Sequence, residues 1–120
     1  MMIGLLISML EVPARETNRP AGLQPFFSIC VPQHNRTDFL ILACESLARQ
    51  IFNDFEICIS DDCSSDGKEL ELLGWLRRSG LTYVYARTIS NLGYDGNLRN
   101  VIGLSAGRYL FLMGNDDGLI

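Results

Sequence analysis

The stretch Phe55-Glu-Ile-Cys-Ile-Ser-Asp61-Asp62-Cys-Ser-Ser-Asp66 decides the fold. Its first half, Phe55 to Ser60, is an isoleucine-rich apolar run, the signature of a strand buried on both faces. Its second half turns abruptly to aspartate and serine and opens a helix near Asp66, with Glu69 three residues on as a capping-box partner. That helix is expected to carry Leu70, Leu73 and Leu76 or Trp75 inward and to stop near Gly80. A buried strand, a polar loop and an amphipathic helix follow one another without a break.

The same alternation extends outward in both directions. Upstream, Phe26 to Val31 reads as a strand closed by Pro32, and Thr37 or Asp38 can cap a helix whose apolar stripe is Phe39, Leu40, Ala43, Leu47 and Ile51. Downstream come a strand over Leu81 to Ala86, a helix over Asn97 to Ser105 ending at Gly107, and a strand over Arg108 to Met113. Glu11 to Pro25 holds three of the four prolines and reads as a linker. The expected organisation is an apolar leader and linker over residues 1–25 and one α/β domain over residues 26–120. Strand–helix–strand alternation predicts right-handed βαβ units on a parallel, Rossmann-like sheet. Ligands of such sheets bind beyond the carboxyl ends of the strands. Pro32–Arg36, Asp61–Asp66 and Asn115–Asp117 fall at those ends, so three polar clusters converge on one rim.

Composition excludes several classes. With 120 residues, 48% apolar and 20% charged, the chain has the length and make-up of one globular domain. A net charge of −4 argues against nucleic acid as a partner. Cys30, Cys44, Cys58 and Cys63 form no CxxC pair and have no histidine at zinc spacing, which points to reduced thiols and a cytoplasmic location. No run approaches the ~20 apolar residues of a membrane span. Met1 to Leu10 is apolar but lacks a basic start and a small-residue cleavage site. It stays open as a frayed leader, a displaced start or a segment touching the inner face of a membrane peripherally.

Several motifs fail on context. GxGxxG and GxxxxGK[ST] are absent. Gly103-Leu-Ser-Ala-Gly107 fits the nucleophile elbow GxSxG, but Ser105 ends a helix before a strand, the reverse of what an elbow requires. Asn35-Arg36-Thr37 is a glycosylation sequon only in form, in a rim loop of a cytoplasmic chain. His34, the single histidine, reads as a hydrogen-bonding loop residue.

The aspartates are harder to explain as surface. Five of the eight fall in two clusters, Asp61, Asp62 and Asp66, then Asp116 and Asp117. Asp66 can be a helix cap. Asp61 and Asp62, crowded at a strand end, need donors or a cation, and a base or ribose hydroxyl would supply donors. Asp116 and Asp117 follow the apolar run Tyr109–Met113, where a divalent cation bridging to a diphosphate is the natural partner. A plain turn through Asn115, Asp116, Asp117 and Gly118 is the other reading.

Taken in order, Ser28–Arg36, Glu45-Ser46-Leu47 with Gln50, Phe55–Asp66, Asn91-Leu92-Gly93 with Asn97, Ala106–Tyr109 and Asn115–Asp117 resemble the start of a family 2 glycosyltransferase. The run Asn91–Asn97 with Gly114–Asp117 looks most like the bacterial surface-polysaccharide transferases of the abequosyltransferase sort. The resemblance implies a GT-A fold that binds a nucleoside diphosphate sugar with a divalent cation, Mn²⁺ or Mg²⁺, and passes the sugar to a glycan or glycolipid acceptor. It implies that Pro32, Gln33, His34 and Asn35 line the nucleotide, that Asp61 contacts the base with Asp62 nearby, and that Asn91, Gly93 and Asn97 lie on the base and ribose side. Asp116 would face ribose or sugar, and Asp117 would hold the metal. The chain departs from the family pattern at Gln33-His34, which replaces a Thr–aromatic pair, and at Asn115, where many members carry an acid. Family members also continue into an acceptor-binding half that holds the general base, so the resemblance implies a partial domain with its catalytic base beyond residue 120. A nucleotidyltransferase-like enzyme and a non-catalytic nucleotide-binding module are the competing readings. The first lacks its glycine-rich basic loop, and the second is separated by measuring transfer beside binding.

Overall fold

A computed structural model of the chain describes residues 13–114. Its strands are β1 (Arg15–Thr17), β2 (Phe27–Gln33), β3 (Phe55–Asp61), β4 (Thr82–Arg87) and β5 (Tyr109–Leu112). The helices between them are α1 (Thr37–Ala48), α2 (Glu69–Arg78) and α3 (Gly93–Leu104). They build one five-stranded sheet in the order β1-β4-β3-β2-β5. β2, β3, β4 and β5 run parallel, and only β1 is antiparallel, on β4.

The period-2 alternation of the buried strands sorts the core into two layers. Ile29, Val31, Ile57, Ile59, Tyr83 and Tyr85 face α1 and α2, which supply Leu40, Ala43, Leu47, Leu72, Leu73 and Leu76. Cys30, Cys58 and Val84 face the other way, onto Val101 and Leu104 of α3. The change of face follows from handedness. From β2 the chain steps to β3 and β4 in one direction, then returns across the sheet to place β5 on the far side of β2. Right-handed crossovers in opposite directions put their helices on opposite faces. The reversal leaves a crevice between the carboxyl ends of β2 and β5, where such sheets bind ligands.

Several sequence expectations are corrected. β2 runs through Pro32 instead of stopping at it. The Cys30 carbonyl accepts from Met113 N–H on the β5 side, and Pro32, two residues on, faces the same side beyond the β5 pairing. Its missing N–H therefore removes no bond from the β2–β3 ladder. The stretch read as linker contributes β1, held by Glu16 to Arg77 at 2.5 and 2.9 Å and to the Tyr83 hydroxyl at 2.8 Å. Phe39 on α1 is exposed, Ile51 lies exposed beyond the helix end, and Thr37 and Cys44 take places on the inner face. On α2, Leu72 is buried and Leu70 turns outward. Neither Asp66 nor Glu69 forms a capping box on α2. Asp66 Oδ2 accepts from the Thr37 hydroxyl at 2.8 Å and from Thr37 N–H at 3.4 Å, so it caps α1 from the neighbouring loop. Glu69 pairs with Arg87 at 2.8 Å.

Asp66→Ala is expected to cost about 1 kcal/mol, the usual worth of a helix cap. In thermal unfolding that lowers Tm by roughly 4–8 °C for a domain of this size. An unchanged Tm would remove Asp66 from the cap.

Candidate functional site

A cavity of about 520 Å³ opens at the switch point between β2 and β5. Pro32, Gln33 and His34 form its β2 wall, Leu112, Met113 and Gly114 its β5 wall, and Asn91, Gly93, Tyr94, Asn97 and Leu98 its α3 wall; Arg36 and Asp62 complete it. The volume lies within the range of small-molecule sites.

The rim is built by side chains that tie one loop to the next. Asn35 adopts a left-handed backbone, φ 53°, held by its N–H donating to Ser64 Oγ at 2.9 Å and by its Oδ1 accepting Ser65 N–H at 2.6 Å. His34 Nδ1 lies 2.7 Å from the Asp62 carbonyl, which can only accept. That fixes the proton on Nδ1 and leaves Nε2 as an acceptor beside the Asn35 amide at 3.3 Å. The β2–α1 and β3–α2 loops are thereby joined edge to edge.

Asp61 and Asp62 divide their work. The Asp61 carboxylate is 1% exposed, accepts from the Ser64 hydroxyl and backbone, and meets Arg87 Nη1 at 3.0 Å. Burial pushes its carboxyl above the usual range against the lowering effect of the Ser64 bonds and the Arg87 charge. Arg87 also donates to Glu69 and to the Ser64 carbonyl, making it the hub that holds this loop. Asp61 thus lies behind the cavity wall, where the sequence reading expected it at the base. Asp62 lines the cavity and reaches across the rim. Its Oδ1 accepts Leu92 N–H at 2.7 Å and its Oδ2 accepts Gly93 N–H at 3.0 Å, while the Thr88 hydroxyl lies 3.1 Å from Oδ1. These are the free donors at the start of α3, and a carboxylate there also meets the positive end of the helix dipole. The anchor explains why α3 begins at Gly93, four residues before the sequence expectation. Gly93 itself holds φ 77°, a conformation glycine adopts without strain.

Of the expected site residues, Pro32, Gln33, His34, Asp62, Asn91, Gly93 and Asn97 come together on the cavity. Asn35 and Asp61 support the rim without lining it. Asp116 and the metal candidate Asp117 lie outside the described residues. Arg36 lines the cavity as part of the Pro32–Arg36 rim cluster, while Tyr94, Leu98, Leu112, Met113 and Gly114 line it without having been anticipated as site residues. Tyr94, 72% exposed and adjacent to Gly93, was the one with a readable signal, an aromatic residue in a glycine-flanked loop.

Among the described residues no group of three His, Cys, Asp or Glu side chains could hold a metal ion. Both oxygens of Asp62 are already occupied by backbone N–H groups. The described donor set therefore does not make a metal site by itself. Also among the described residues, Cys30, Cys44, Cys58 and Cys63 are free thiols, and no helix is long and apolar enough to cross a membrane.

Comparison with known proteins gives a consistent picture. The sequence pattern of Glycosyl transferase family 2 matches residues 28–119. Abequosyltransferase RfbV of Salmonella typhimurium is 38% identical over 94 residues, covering 77% of this chain and 28% of that protein. The GalNAc(5)-diNAcBac-PP-undecaprenol beta-1,3-glucosyltransferase of Campylobacter jejuni is 29% identical over 96 residues, covering 80% of this chain and 31% of that protein. In structure, S. aureus TarS 1–349 in complex with UDP superposes with a TM-score of 0.69 at 25% identity, covering 80% of this chain and 28% of that one. Mannosyltransferase PcManGT from Pyrobaculum calidifontis, with a TM-score of 0.70 and 15% identity over 96% of this chain and 34% of that one, shares the fold. The chain thus spans less than a third of the length of these curated relatives.

Proposed function

The chain belongs to glycosyl transferase family 2, and from that premise we propose that it forms the nucleotide-sugar-binding part of an enzyme that moves a sugar from a nucleoside diphosphate to an acceptor hydroxyl. The observation that carries the reading is the cavity at the β2/β5 switch point, walled by the His34 loop, the Asp62-anchored start of α3 and the end of β5. The acceptor class is a bacterial surface glycan or glycolipid, and the PP-undecaprenol glycan in the name of the Campylobacter relative supports the glycolipid. The setting is cytoplasmic, in keeping with the thiols of Cys30, Cys44, Cys58 and Cys63.

Pro32, Gln33, His34, Asn91, Gly93 and Asn97 would contact the nucleotide directly. Asp62 would do so while holding α3, and Asn35 and Asp61 would act through the rim they brace. Gly114 lines the cavity, and Asp117 follows it by three residues, a covalent reach of at most roughly 11 Å. Asp117 is therefore our choice to hold a divalent cation, Mn²⁺ or Mg²⁺, with Asp116 on ribose or sugar. A cation there offsets charge on the departing diphosphate. The chain's own residues orient the nucleoside and exclude water from its buried side.

UDP, CDP, GDP or dTDP with Mn²⁺ should raise the melting temperature. At a hundredfold excess over Kd the gain is about 2.7 kcal/mol, on the order of 10 °C for a domain of this size. Chelator should remove the metal-dependent part, and Asp117→Asn should lose that part alone because an amide is a poor ligand for a hard cation. A panel that leaves melting unchanged with metal present rejects the reading.

A further inference from the structure

Asn97 carries an unpaired polar atom in the cavity wall. It lies on α3, is 4% exposed, and its Nδ2 donates to the Gln33 carbonyl at 3.3 Å. A backbone carbonyl only accepts, so this bond sets the orientation of the amide and identifies the remaining atom as the carbonyl oxygen. Oδ1 is buried and has no hydrogen-bond partner. Buried acceptors in native proteins are nearly always paired, and an unpaired one destabilises the fold that contains it. The donors at the same end of β2 are committed elsewhere: Gln33 Nε2 to the Thr37 hydroxyl, His34 Nδ1 to the Asp62 carbonyl. Pro32 and Met113, on the same cavity, have no side-chain donor.

We propose that Asn97 is a specificity-determining residue whose Oδ1 accepts a hydrogen bond from an N–H or O–H group on the nucleoside or sugar of the donor substrate. The inference rests on the nucleotide-sugar reading and adds the chemistry of one contact. The diphosphate cannot be its partner, since phosphate oxygens ionised at neutral pH are acceptors. Because Oδ1 is shut off from water, the proposed contact requires the wall beside it to give way as the ligand enters, and the acceptor surrenders no hydration when it pairs. A nucleotide lacking a donor at that point would leave the oxygen unpaired, the condition under which sites discriminate most strongly.

Titration of the 120-residue chain with UDP, GDP and inorganic pyrophosphate, with Mn²⁺ present, tests this. Asn97→Leu should weaken binding of the preferred nucleotide about tenfold, as loss of one buried hydrogen bond does. Its ligand-free Tm should hold or rise, because the variant has no orphaned acceptor, and its pyrophosphate binding should not change. If the leucine variant does not fold, Asn97→Ala makes the same comparison. Nucleotide affinity equal to native in the leucine or alanine variant overturns the inference while the native titration still supports the family reading. An equal loss for pyrophosphate also overturns it. A native chain that binds neither nucleotide overturns both.

Discussion

Glu56→Ala is expected to lower the unfolding free energy by about 3–5 kcal/mol, the usual loss when one partner of a buried ion pair is removed. Glu56 is wholly buried at the amino end of β3. Its carboxylate accepts the Ser28 hydroxyl at 2.5 Å, Arg19 Nη1 at 2.6 Å and Ala106 N–H at 2.7 Å. Ser28 Oγ accepts Gly107 N–H at 2.7 Å in turn, and a Cβ on Gly107 would overlap Ser28. Arg19 also donates to the Leu104 carbonyl at 3.0 Å. One carboxylate thus joins the segment after β1, the starts of β2 and β3, and the turn that leads into β5. Alanine would strand the Arg19 guanidinium and two donors. Burial alone would raise the Glu56 carboxyl, but the bonds from Ser28, Ala106 and Arg19, with the Arg19 charge, hold it below its ordinary 4.5. A depressed folded-state value means the contribution is complete above that ordinary value and fades as pH falls through the folded one. Native and Glu56→Ala melting temperatures should therefore converge in acid. Urea unfolding of the variant within experimental error of native near neutral pH would dismiss the hub.

The parallel sheet was legible because its strands advertise themselves locally. Isoleucine-rich runs end in polar clusters, and each is followed by helical spacing, so β2 to β5 fall within a few residues of their expected places. What stayed hidden depends on partners remote in sequence. The start of α3 is set by Asp62, thirty residues upstream of Leu92. Asp66 has the local form of a capping-box residue with Glu69, yet it caps α1, and Arg87 claims Glu69. β1 is three residues among prolines, stabilised by contacts to Arg77 and Tyr83 more than sixty positions away. On α1 the phase of the apolar stripe was right, but Phe39 lies at its edge and Ile51 beyond its end. For the site, spacing identified which loops meet, since topology brings strand ends together. It could not separate Asp61 from Asp62, because adjacent residues on a strand end point opposite ways, and only the fold says which way faces the cavity.

That separation makes Asp62 the second residue with a large expected effect. Asp62→Ala removes the acceptor of Leu92 N–H and Gly93 N–H at once and withdraws a negative charge from the start of α3. Leu92 and Gly93 are exposed, so water can replace the carboxylate at both donors; the loss is that of a helix cap, about 0.5–2 kcal/mol, with up to about 1 kcal/mol more from the helix dipole. Asn91 Oδ1, 3.0 Å from Gly93 N, remains and limits the loss, so about 1–2 kcal/mol is expected. The consequence for the cavity is larger than for the fold. Asn91, Gly93, Tyr94 and Asn97 form one wall and are carried by the first turns of α3, so fraying there disperses them together. The melting response to UDP or GDP should vanish even where the variant stays folded. Asp62→Asn keeps one acceptor oxygen and loses the charge, and it should fall between alanine and native in both measurements. Asp95→Asn is the control. Asp95 is also acidic, in the first turn of α3, but exposed and without a bond to Leu92 or Gly93, so stability should fall by no more than the dipole share, under about 1 kcal/mol, and the nucleotide response should hold. A ligand-free Asp62→Ala chain that melts with the native one would show that α3 holds its start without the carboxylate. If such a chain also kept its nucleotide response, neither the anchor nor the contact could be Asp62.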